Sequence, residues 1–107
     1  MTTVRFLVQG GRLYGFTASG HAGYAKSGED IVCAAVSALT QTALLGLGEV
    51  LKVPVEWSAD EEKGALSASI REATEGTEIV LRTLKAGLTN IAGQYPDLVG
   101  IDYIQRR

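Results

Sequence analysis

The eighteen residues from Ile31 to Gly48 carry no charge, and a run of that length must be hidden from water in lipid, in a core or in an interface. It sits at the lower limit for a membrane-spanning helix. Ser37 and the run Thr40-Gln41-Thr42 interrupt it, Ala and Gly make up much of the rest, and the flanking Glu29, Asp30, Glu49 and Lys52 form no positive cluster. The expectation is a buried or dimer-facing helix and no membrane span. Val32, Val36, Leu39, Ala43, Leu47 and Val50 recur at three- and four-residue steps. Leu44, Leu45 and Leu51 widen this stripe beyond one core face, which points to a subunit interface.

The helix has strands on both sides. Val4, Phe6 and Val8 alternate with Arg5, Leu7 and Gln9, Gly10-Gly11 supplies the positive φ values of a two-residue turn, and Arg12 to about Ser19 returns as the second strand of a hairpin. Val53 to Trp57 reads as a strand, with Pro54 at a sheet edge or strand start because proline cannot donate to a ladder. After a polar tip, Ser58 to Gly64, the segment Ala65 to Ile70 closes a second hairpin. Thr77 to Ala92 is an amphipathic helix with Val80, Leu81, Leu84, Leu88 and Ile91 on one face, ended by Gly93 and Tyr95-Pro96. Leu98 to Ile104 is a last strand. The order β-β-α-β-β-α-β, joined mostly by hairpins, predicts a two-layer α+β fold in which two helices pack on a mostly antiparallel sheet.

At 107 residues, 46% of them hydrophobic and 21% charged, the chain is expected to form a single domain over residues 1–107. Ten Lys+Arg against twelve Asp+Glu give a net charge of -2, which disfavours a dedicated nucleic-acid binder. One cysteine excludes an intrachain disulfide, and the opening Met1-Thr2-Thr3-Val4-Arg5 lacks the basic and apolar regions of a signal peptide, so the expected location is cytoplasmic.

One segment holds both the single histidine, His21, and the single cysteine, Cys33. His21 follows a strand and Cys33 falls in the first turn of the next helix, so the chain reversal between them can bring the two side chains together. A thiol needs its thiolate to act as nucleophile, and a helix start or a nearby imidazolium favours that form. Asp30 can cap the helix or hold His21, and Ser37, one turn after Cys33, can bond substrate, loop or thiol. Each residue also has a plain structural reading: a small buried thiol, a packed histidine, a cap, a tight helix contact. Trp57, Tyr14, Phe16 and Tyr24 are candidate pocket walls, although each is more simply read as core or sheet-surface packing. Zinc would need more ligands than one Cys and one His provide, and Glu29-Asp30 would repel a phosphate at the glycine-rich loop. No metal and no cofactor is expected.

From Gly20 to Ser37 the chain reads GHAGYAKSGEDIVCAAVS, and the joint pattern Gly20-His21-Ala22 with Asp30-Ile31-Val32-Cys33-Ala34 resembles the signature of the bacterial ribosomal-processing cysteine protease family, Prp. The resemblance also covers chain length, hairpins and the uncharged helix. It implies Cys33 as nucleophile, His21 as base, and Asp30 and Ser37 as the family's supporting acidic and hydroxyl positions. It implies a homodimer that removes the N-terminal extension of a large-subunit ribosomal protein by cutting after an aromatic pair; with the charge balance above, no direct contact with nucleic acid is expected. The loop bearing Ala22, Gly23, Tyr24 and Gly28 then acts as a substrate lid. Two other readings keep the same residues: a noncatalytic ribosome-associated assembly dimer, and a small acyl-transfer enzyme acting on a thioester.

Overall fold

The computed structural model describes residues 1–20 and 29–106, with the side chains of Glu29 and Asp30 outside that description. Its elements follow the expected order: β1 (Thr2–Gln9), β2 (Arg12–Ser19), α1 (Glu29–Leu45), β3 (Glu56–Asp60), β4 (Ala65–Ser69), α2 (Glu75–Gln94) and β5 (Val99–Gln105). The strands form one five-stranded sheet in the order β3-β4-β2-β1-β5. Every pairing is antiparallel except β1 with β5, which run parallel from Thr2 opposite Val99. The fold is α+β, as expected.

Alternation sets the sheet's faces. Thr2, Val4 and Phe6 of β1 are buried on the helix side, with Phe16 and Ala18 of β2 beside them. Gly10 and Gly11 take φ +59° and +76° in the connecting turn, as a two-residue hairpin loop requires. The register slips between Leu7 and Val8, so β2 carries an extra residue, and this bulge lets Leu13 join Phe16 in the core although they are three residues apart.

Val32, Val36, Thr40, Ala43 and Leu47 of the uncharged stretch are buried, with the Thr40 hydroxyl donating to the carbonyl oxygens of Val36 (3.0 Å) and Ser37 (3.1 Å). By length and composition alone Ile31–Val50 could cross a membrane, yet this row of side chains packs into the chain's own core beside Leu81, Leu84 and Leu88 of α2. The opposite side is open: Ile31 and Leu45 are exposed. Val50, expected on the apolar stripe, is 77% exposed. The helix widens into a π turn over Gly46–Val50, which rotates the following side chains away from α-helical spacing. Lys52 then adopts φ +56°, and the Val53 N–H reaches the Leu47 carbonyl at 3.0 Å, one residue further back than in a Schellman motif because the last turn is the wider π turn.

Two boundaries differ from expectation. β3 begins at Glu56, three residues later than read, because Val53 caps the preceding helix and Pro54 lacks the N–H a ladder needs; it still forms the sheet edge. α2 starts at Glu75, since Thr74 closes a capping box with Thr77, and it runs through Gly93 to Gln94.

Candidate active site

α1 turns a second row of side chains, adjacent to its buried row, toward the β3–β4 hairpin. Cys33, Ser37 and Gln41 recur at four-residue steps along it, followed by Leu44. Across from them the inner face of the hairpin presents Trp57 and Leu66. Between the two lies a cavity of about 550 Å³, within the usual size range of ligand sites. Its walls are mostly apolar, with the carboxylates of Asp60 and Glu61 at the hairpin end.

Cys33 is partly buried on the cavity wall, in the fifth residue of α1. Its sulfur lies 3.4 Å from the hydroxyl of Thr2, whose proton goes to the Gly20 carbonyl at 3.0 Å. Gly20 ends the hairpin at φ +95°, and a Cβ there would stand 2.5 Å from the Met1 carbonyl oxygen, so only glycine lets the chain leave β2 this close to β1. The Ser37 hydroxyl accepts from the Gln41 side-chain amide at 2.6 Å, along the helix surface.

Cys33 and Ser37 thus share one cavity. His21, Ala22, Gly23, Tyr24 and Gly28 lie outside the described residues, as does the side chain of Asp30, whose backbone belongs to α1. Of the aromatic pocket walls, Trp57 lines the cavity. Phe16 is core, and Tyr14 packs half-buried away from the cavity with the Arg106 guanidinium 5.4 Å from its ring centroid. Among the described residues no three His, Cys, Asp or Glu side chains gather as a metal site. Sequence reading overlooked Thr2, because nothing local to residues 1–4 announces a contact with residue 33.

A sulfur on the wall of an apolar cavity, one turn into a helix, is placed where it can meet a carbonyl held in that cavity. Comparison with known proteins gives the fold and the family. The chain superposes on SMU.848 from Streptococcus mutans with a TM-score of 0.87 at 28% identity, covering 99% of this chain and 96% of that one. It is similar in fold to the ribosomal processing protease Prp of Staphylococcus aureus, at TM-score 0.84 and 21% identity in complex with a substrate peptide. With a covalently linked product peptide the values are 0.85 and 23%; in both cases the match covers 97% of this chain and 100% of that one. No curated protein matches the chain. The model of the family described as cysteine protease Prp matches residues 1–100, nearly the whole chain, and the protein belongs to that family of cysteine proteases.

Proposed function

We propose that this cysteine protease is a cytoplasmic endopeptidase that removes the N-terminal extension of a bacterial large-subunit ribosomal protein, cutting after an aromatic pair. Cys33 is the nucleophile and His21 the base. The observation that carries the reading is the Cys33 sulfur on the wall of a largely apolar cavity, in a chain matched by the protease family's model over residues 1–100. The Staphylococcus aureus protease of the same fold is a ribosomal processing enzyme whose structures hold a substrate peptide and a covalently linked product peptide, which supports a peptide as the occupant here.

In the proposed mechanism His21 accepts the thiol proton as the Cys33 sulfur bonds to the scissile carbonyl carbon, forming a tetrahedral oxyanion. Collapse breaks the C–N bond, and the imidazolium returns its proton to the leaving amine. Water, deprotonated by the same imidazole, then hydrolyses the thioester. Backbone N–H donors of the α1 start serve the oxyanion, each worth roughly 2.7–4 kcal/mol in comparable enzymes. Asp30 supports His21 or the loop, and Ser37, held by Gln41, borders the path of the peptide. Trp57 and Leu44 offer apolar surface to the aromatic pair. Ala22, Gly23, Tyr24 and Gly28 serve as contacts for the peptide. A second copy of the chain covers the exposed Ile31, Leu45 and Val50.

Mass spectrometry of the extension peptide after incubation with the protein, with Cys33→Ala and His21→Ala alongside, tests the reading. The expected result is one cut after the aromatic pair, lost in both variants, from a sample that sediments at twice the chain mass. An intact peptide with folded wild-type protein would overturn the substrate assignment and favour a noncatalytic assembly dimer.

A further inference from the structure

Thr2 is held more firmly than a strand's first residue needs to be. It is 7% exposed, its N–H donates to the Leu98 carbonyl at 2.8 Å, and it pairs with Val99 in the parallel ladder. Its hydroxyl stands between the Gly20 carbonyl, 3.0 Å away, and the Cys33 sulfur, 3.4 Å away. A hydroxyl has one proton and two lone pairs. While that proton lies on the Gly20 carbonyl, the sulfur contact is made by the thiol proton, donated to the Thr2 oxygen. Once the sulfur has lost its proton it can only accept, and the contact survives only if the Thr2 proton turns to it.

We propose that Thr2 is a positioning residue for the nucleophile: its hydroxyl proton turns from the Gly20 carbonyl to the Cys33 sulfur when the thiol ionises, holding the thiolate on the cavity wall. The thiol proton leaves to the base, Thr2 keeps its own, and no bond of Thr2 breaks. The turn also frees the carbonyl of Gly20, the residue joined to His21, so one rotor links the nucleophile to the segment bearing the base. This inference rests on the reading of Cys33 as nucleophile, but not on the identity of the peptide.

The test compares side chains of matched size with and without the hydroxyl, Thr2→Val against wild type and Thr2→Ala against Thr2→Ser, in the full chain. Two rates are read: alkylation of Cys33 by iodoacetamide at neutral pH, and cleavage of the extension peptide. Loss of a hydrogen bond to a charged group predicts that Val and Ala slow alkylation and kcat by roughly tenfold. KM stays within about twofold, since the hydroxyl acts on the nucleophile rather than on substrate binding, and Ser stays near wild type. Should Val disturb folding, seen as a lowered Tm, the Ala and Ser pair decides alone. Equal rates within each pair overturn the proposal, as does a Ser variant as slow as Ala. A Thr2 effect on alkylation in a protein that cuts no extension peptide supports Thr2 and overturns the substrate reading. Cleavage and alkylation unaffected by Thr2 do the reverse.

Discussion

Glu78 ties α2 to the first hairpin with one carboxylate. Oε1 accepts the Leu13 N–H at 2.7 Å and Oε2 accepts the Arg82 guanidinium at 2.8 Å. Burial pushes this carboxyl up, but the hydrogen bonds from Arg82 and Leu13, with the charges of Arg82 and Arg12, outweigh it and hold the group below its ordinary 4.5. Because the folded-state value is depressed, the stabilisation is complete above the unfolded value and is lost as pH falls through the folded one. Glu78→Gln is therefore expected to lower stability at pH 7 by about 1 kcal/mol, discounted for the exposure of Arg82, with the gap closing below about pH 4.5. Paired thermal melts at pH 7 and pH 3 check this; a gap that persists at pH 3 would assign the loss to shape. Residues whose role depends on near neighbours were legible: Gly10-Gly11 as a turn, Cys33 at a helix start. Glu78 and Thr2 were not, since their partners are 65 and 31 residues away in sequence.

Elements were legible in kind and displaced at their ends, and each displacement has a local cause. The period of α2 was read from its leucines, whereas its start was set by two threonine side chains: Thr74 and Thr77 bond each other's backbone N–H at 3.2 and 2.7 Å. Threonine at the Glu or Gln position of a capping box carries a weak sequence signal. Thr74→Ala is expected to cost about 1 kcal/mol, or roughly 4–8 °C in Tm for a domain of this size, while peptide cleavage stays at the wild-type rate because α2 does not line the cavity. Calorimetry with a parallel activity assay reads both. The π turn after α1 has no period of its own to detect, and it is what separates exposed Val50 from buried Leu47. Pro54 left open an edge or a strand start for β3; the strand is at the sheet edge, Pro54 lies ahead of it, and its first residue depended on how the preceding helix ended.

For the molecule as a whole, the element order and two-layer build could be read from hairpin joints, and the order of strands across the sheet could not. Pairing of β1 with β5 joins segments with no local cue, and it leaves β1 in the interior of the sheet with β2 on its other side. The cavity is likewise a product of assembly: its wall takes Thr2 from β1, Cys33 from α1 and Trp57 from the edge hairpin. The bond from the Thr2 N–H to the Leu98 carbonyl gives this assembly an order in time. Closing that loop of nearly a hundred residues costs roughly 2 kcal/mol more chain entropy than closing a ten-residue hairpin, and such non-local pairings slow folding. The strand that brings a hydroxyl to the sulfur is thus secured by the most distant pairing in the sheet. In a refolding experiment peptide cleavage is expected to appear with the slowest phase and not with the first gain of helix; cleavage that appears with the helix would overturn this order.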